Sequence, residues 1–72
     1  MPKLPRISGA AIVKALERLG FVRARQSGSH VIMRRGPKGC VVPMHSEVKV
    51  GTLAGVLRQA DVSADEFMGA LR

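Results

Sequence analysis

Aromatic side chains are scarce in this sequence, which contains two Phe, no Tyr and no Trp among 72 residues. Domains that bind single-stranded nucleic acids commonly stack the bases on aromatic rings. The composition therefore argues against a protein that holds single strands on an aromatic platform.

Cysteine is represented by Cys40 alone, so no disulfide can form within the chain. Cys40 and the two histidines, His30 and His45, fit no zinc-ligand spacing, and we expect neither a metal nor a cofactor. A single free cysteine suits a reducing compartment. No apolar stretch reaches the roughly 18 residues of a transmembrane helix, so we expect a cytoplasmic protein with no membrane partner.

Acidic residues are also few, with five Asp and Glu against twelve Lys and Arg and a formal net charge of +7. Residues 1–45 hold nine of the twelve basic residues and one of the five acids. A charge distribution of this kind attracts polyanions, which favours a nucleic-acid partner. An anionic membrane is disfavoured because no basic amphipathic helix with bulky aromatics is present. A merely solubilising basic surface is the alternative.

The length predicts a single domain over residues 1–72, with chemistry at the surface or in a shallow groove rather than in a deep pocket. Caps, turns and hydrophobic periodicity divide the chain into six elements. The predicted elements are a helix over residues 8–20, strands over 21–26, 30–34 and 40–44, a helix opening at 51–52 and a last helix opening at 63. This order, α-β-β-β-α-α, predicts an α+β fold with a three-stranded antiparallel sheet.

The first predicted strand alternates small apolar residues with basic ones. Val22 and Ala24 alternate with two arginines, which is the period of a half-buried strand. One sheet face should pack on the helices and leave the other open. We expect Arg23, Arg25 and Arg34 to share that open face. We expect Arg35 and Lys38 to lie at its edge. These candidates for phosphate contact are Arg23, Arg25, Arg34, Arg35 and Lys38, each with a solubilising role as the alternative.

His30 is the strongest candidate for chemistry because it begins a strand directly after Gly28-Ser29. Glycine adopts backbone angles that other residues avoid and lets another chain approach closely. An imidazole can take up or release a proton near neutral pH. A base acting on the 2′-OH of RNA lets that oxygen attack the adjacent phosphate, while nearby cations stabilise the developing charge. His45 is a candidate second acid or base if the strands pair, and an ordinary exposed residue is the alternative for both histidines.

Three sets of motifs, in this order and at these spacings, resemble the HicA family of toxin endoribonucleases from bacterial toxin–antitoxin pairs. The resemblance covers nearly the whole chain. The motifs are Gly20-Phe21 with residues 25–30, residues 42–45, and Gly51-Thr52-Leu53 with residues 56–60 and 63–67. The chain departs from the family at Val31 and Met33, where many members have histidine or an aromatic residue, and over residues 35–40. These departures bear on substrate preference.

The resemblance implies a fold like the double-stranded-RNA-binding domain and metal-independent cleavage of messenger RNA that arrests growth. It implies that His30 is the general acid or base, with Gly28 and Ser29 beside the RNA. It also implies a HicB-like antitoxin that blocks the site and joins in repression of the operon. We expect the antitoxin to cover the open sheet face and His30. A non-catalytic RNA-binding module paired with an antitoxin is the alternative.

Overall fold

A computed structural model describes residues 3–71 and contains three helices and one antiparallel sheet within them. The elements are α1 (Gly9–Arg18), β1 (Val22–Ser27), β2 (His30–Arg35), β3 (Lys38–Pro43), α2 (Val50–Ala60) and α3 (Ala64–Ala70). The strands pair in the order β1-β2-β3. The predicted α+β order and the three-stranded antiparallel sheet are confirmed.

Local chemistry at the helix ends agrees with the sequence. The Ser8 hydroxyl accepts a hydrogen bond from the Ala11 N–H at 3.1 Å and caps α1. Gly20 follows α1 with φ +96, a conformation that glycine adopts without strain. Ser63 and Glu66 form the predicted capping box at the start of α3. The second helix begins at Val50, one residue earlier than predicted.

Both hairpins have two-residue turns with glycine in the first position. Gly28-Ser29 joins β1 to β2, and Gly36-Pro37 joins β2 to β3. Each glycine has φ +58, the left-handed conformation that short hairpin turns require. The second turn is shorter than the predicted five-residue loop, because the strand pairing continues to the last residue pair before it.

The core lies between the three helices and one face of β2 and β3. We call this sheet face the helix-side face. Its buried strand residues are Val31, Met33, Cys40 and Val42, and the largest helix residues packed with them are Ile12, Leu16, Leu53 and Phe67. Within residues 3–71, no helix has both the length and the apolar character needed to span a bilayer.

The prediction that β1 is half-buried is wrong, because all six of its residues are exposed. Val22, expected to face the core, is 62% exposed. The helices α1 and α2 both pack against β3, and β1 lies two strands away at the opposite edge of the sheet. An alternating sequence therefore predicted a strand correctly but could not show that nothing covers it.

A β-bulge at Ala24 also corrects the expected placement of the arginines. Arg23 pairs with Met33, whereas Arg25 pairs with Ile32. Paired residues on neighbouring strands project to the same face, so Arg23 lies on the helix-side face and Arg25 on the open face. Arg23 is accordingly 3.7 Å from Glu17 of α1, measured from Nε to Oε2. The three arginines do not share the open face.

Candidate functional site: a groove between the sheet and the second helix

The two histidines lie in one groove that is open to solvent. It has a volume of about 590 Å³ and runs between the ends of β2 and β3 and the side of α2. Polar residues from three parts of the chain line it, namely His30, His45, Lys49, Thr52 and Gln59. We call it the histidine groove. The strands β2 and β3 pair, which was the condition for His45 as a candidate second acid or base, and both histidines line this groove.

The first hairpin positions His30. Gly28 turns the chain with φ +58, and Ser27 and His30 then pair across the hairpin. On its other side His30 pairs with Pro43 of β3, and its side chain is exposed. The Met44 N–H donates to the carbonyl oxygen of Ser29 at 2.6 Å. The turn that carries His30 is therefore fastened to the segment that carries His45.

A close contact with the start of α1 fixes His45. The Gly9 N–H donates to the carbonyl oxygen of His45 at 2.9 Å. Gly9 lies so close to Pro43 and Met44 that a Cβ atom here would overlap the Pro43 carbonyl oxygen. The Val48 N–H further donates to the Ile7 carbonyl at 2.7 Å. Backbone hydrogen bonds therefore hold the loop that carries His45 to the start of α1 and to the segment before it.

The second helix supplies polar residues that the sequence analysis missed. Lys49 precedes its first turn, while Thr52 and Gln59 lie on one helical face at a spacing of seven residues. The Gln59 Oε1 accepts a hydrogen bond from the Val41 N–H of β3 at 3.3 Å. The polar spacing between Thr52 and Gln59 is visible in the sequence. The sequence does not show that this face lies beside His30.

The candidate cations are in different environments. Arg25 and Arg34 lie on the open face, and neither has an ion-pair partner among residues 3–71. Lys38 lies 3.4 Å from Asp61, measured from Nζ to Oδ2, and both side chains are largely exposed. Exposed ion pairs of this kind contribute little to stability, so the Lys38 ammonium can readily bind another partner.

Arg35 is held by contacts within the protein. Its Nη1 donates to the carbonyl oxygen of Leu19 at 2.8 Å. Its guanidinium lies 4.6 Å from the centre of the Phe21 ring, which is a cation–π distance. These two contacts join the end of α1 to β2, so Arg35 has a structural role in this fold.

Cys40 of β3 is buried and pairs with Met33 on the helix-side face of the sheet. Burial raises the pKa of the Cys40 thiol to about 11, so the thiol stays protonated at neutral pH. Across the described residues 3–71, no three histidine, cysteine or acidic side chains gather closely enough to hold a metal ion.

A comparison with protein families identifies the chain. The sequence model of one family, described as the HicA toxin of bacterial toxin–antitoxin systems, matches residues 9–62 of the 72. The chain belongs to the HicA toxin family. Its role is therefore that of a toxin in such a system, and an antitoxin is implied as its partner. No curated protein matches the chain.

The segment that matches the HicA family contains the whole histidine groove. It begins at Gly9, whose N–H holds the His45 carbonyl, and it includes every residue that lines the groove. The helix α3 lies beyond the match, although Phe67 of α3 is fully buried in the core. The part of the chain shared with the HicA family is thus the part that builds the groove.

Proposed function

We propose that this HicA family toxin is a metal-independent endoribonuclease that cleaves messenger RNA in the cytoplasm and arrests growth, with His30 as the general acid or base. The observation that carries the proposal is one open groove lined by both His30 and His45. Arg25 and Arg34 lie on the adjoining open face, where a phosphate backbone would pass. The chain acts as a single domain in this proposal.

The reaction needs two proton transfers, and the groove contains two imidazoles. One base removes the proton of a ribose 2′-OH, and the oxygen attacks the adjacent phosphorus atom. The bond from phosphorus to the 5′ oxygen breaks, and an acid protonates the departing oxygen. The products are a 2′,3′-cyclic phosphate and a 5′-OH end. His30 performs one of these transfers, and His45 is the candidate for the other.

Phosphate binding falls first to Arg25 and Arg34, because neither has an ion-pair partner among residues 3–71. Arg23 and Lys38 follow, since a phosphate can replace their exposed carboxylate partners. The internal contacts of Arg35 make it the weakest of the five candidates. Gly28 and Ser29 complete the site, because the space beside Gly28 is open and admits an RNA backbone.

The antitoxin in this proposal is a HicB-like protein that covers the histidine groove and the open face. A chain with a formal net charge of +7 favours a partner with acidic residues at the interface. An antitoxin bound there excludes RNA directly. This predicts that RNA and antitoxin compete for the free toxin.

Incubation of the purified toxin with a long RNA in EDTA tests the proposal. We expect fragments with 2′,3′-cyclic phosphate ends, because the mechanism uses no metal. A matched oligonucleotide with one 2′-deoxy sugar at the cleavage position should stay intact, since the nucleophile is missing. Intact RNA at stoichiometric toxin, together with salt-sensitive binding, would instead identify a non-catalytic RNA-binding module.

A further inference from the structure

A second groove lies on the open face beside the histidine groove. Its volume is about 380 Å³, and we call it the open-face groove. It is lined by Ile32, Arg34, Pro37, Gly39, Cys40, Val41 and Gln59. Val41 and Gln59 line both grooves, so the two depressions meet at this pair. A chain bound at His30 can therefore reach the open-face groove by passing Val41 and Gln59.

The hydrogen bond at the junction fixes the orientation of the Gln59 amide. Its Oε1 accepts from the Val41 N–H at 3.3 Å. A backbone N–H only donates, so the amide oxygen rather than the NH₂ group must face β3. With Oε1 on the Val41 N–H, the NH₂ group is left to donate to a ligand at the junction of the grooves. It selects a hydrogen-bond acceptor on whatever occupies the open-face groove.

The remaining walls match a nucleotide. Ile32, Pro37 and Val41 provide apolar surface for a base, without any aromatic ring. The Arg34 side chain lies against Gly39, where a Cβ atom would be 3.6 Å from its Nη1. Arg34 has no ion-pair partner among residues 3–71, so its guanidinium is available to a phosphate. Apolar side chains, one cation and one hydrogen-bond donor suit a base with its phosphate.

We propose that the open-face groove binds the nucleotide next to the scissile phosphate and that Gln59 selects its base through the amide NH₂ group. This inference rests on the proposed ribonuclease function. Arg34 binds the phosphate of that nucleotide, and Gln59 favours a base with a keto oxygen at C4 of a pyrimidine or C6 of a purine over one with an amino group at that position. Uracil and guanine are therefore favoured over cytosine and adenine at this position.

Paired substitutions at the two glutamines of the chain test the proposal. Gln59→Glu keeps an acceptor for the Val41 N–H but replaces the donor with a carboxylate oxygen, and Gln59→Met removes both groups. Gln26 is the matched control, because it is exposed, pairs with Val31 on the helix-side face and lines neither groove. Its Nε2 makes one long contact, 3.5 Å from the Gly28 carbonyl oxygen. Cleavage of an RNA pool randomised around one cleavage site measures base preference at each flanking position. Thermal unfolding of each variant checks that the fold is retained.

We expect Gln59→Glu to shift the preference at one flanking position from keto towards amino bases by roughly 10-fold. Gln59→Met should flatten that preference, and neither change should alter the other positions. Gln26→Glu adds the same negative charge and should leave every base preference as in the wild type. An equal effect of Gln59→Glu and Gln26→Glu, or an unchanged preference in Gln59→Met, overturns the inference.

Equilibrium binding separates this inference from the proposed function. Fluorescence anisotropy with short RNAs of varied sequence, on proteins that also carry His30→Ala, reports the same base preference without cleavage. If the wild type does not cleave RNA, the ribonuclease proposal fails and the binding preference still decides the role of Gln59. If the Gln59 variants weaken only antitoxin binding, the groove belongs to the antitoxin interface and the inference is wrong.

Discussion

Gly9→Ala tests how the groove is held in place. The added Cβ atom would overlap the Pro43 carbonyl oxygen and lie against the Met44 Cα. Both are backbone atoms, so no side-chain rotation relieves the contact, and overpacking of this kind costs about 1–3 kcal/mol. Alanine stabilises a helix by roughly 0.5–1 kcal/mol relative to glycine, and this offsets part of that cost. We expect a net loss of about 1–2 kcal/mol in the free energy of unfolding.

Urea and thermal denaturation measure this loss. For a domain of 60–100 residues, each kcal/mol corresponds to a Tm change of roughly 4–8 °C, so the expected decrease is about 5–15 °C. RNA binding should weaken as well, because the added Cβ atom would displace Pro43 and Met44. The Met44 N–H donates to the Ser29 carbonyl oxygen, and the Gly9 N–H donates to the His45 carbonyl oxygen, so both ends of the groove would shift. Stability and RNA binding should therefore fall together in Gly9→Ala.

Gly69→Ala is the matched control, since Gly69 lies within α3 and a Cβ atom there meets nothing within 4 Å. This variant should be more stable than the wild type by about 0.5–1 kcal/mol. A Gly9→Ala protein as stable as the wild type, or one stabilised like Gly69→Ala, would refute the close contact between α1 and the loop after β3.

The remaining predictions concern stability, RNA binding and pH dependence. Ser63→Ala removes the capping box and should cost about 1 kcal/mol in urea denaturation, and a loss below 0.3 kcal/mol would contradict the cap. Arg35→Met should lose about 1–2 kcal/mol of stability while RNA affinity changes little. In contrast, Arg25→Met should keep stability within about 0.5 kcal/mol and reduce the salt slope of RNA binding by about 1; equal behaviour of the two variants would contradict their separate roles. Burial raises the Cys40 pKa from 9.0 to about 11, so its stabilisation is present below pH 9 and declines towards pH 11. Denaturation of wild type and Cys40→Ala from pH 8 to 11 should show the wild type losing relative stability, and parallel curves would argue against the raised pKa.

The parts of the fold set by local chemistry could be predicted from the sequence. Ser8 and Ser63 each cap the helix expected to follow them, and Gly28 turns the first hairpin. These features depend on residues within a few positions of each other, so their patterns carry enough information. The α-β-β-β-α-α order follows from them.

Features that depend on distant segments could not be predicted. The exposure of Val22 results from the positions of helices that pack on the far side of the sheet, and the bulge at Ala24 reverses the face of Arg23 relative to Arg25. Gln59 reaches the groove only because α2 lies beside β3. Alternation and helical spacing describe residues that are close in the sequence and do not show which distant segments pack together. The positions of these side chains could therefore be seen only in the structure.

The same distinction applies to the candidate site. His30 attracts attention in the sequence because it follows Gly28-Ser29, and the structure adds that His45 lies in the same groove. Arg35 shows the opposite outcome, since its charge suggested phosphate contact and its contacts with Leu19 and Phe21 indicate a structural role. Charge alone could not separate these arginines, because their partners lie far away in the sequence.

The most direct test of the central claim compares His30→Ala with wild type in single-turnover cleavage of RNA in EDTA. A general acid or base contributes roughly 10²–10⁴-fold, so the variant should cleave slower by that factor while it keeps its Tm and RNA affinity. His30 is exposed, and its loss should not disturb the core. Cleavage by His30→Ala at the wild-type rate would contradict the assignment of His30 as the proton-transfer residue.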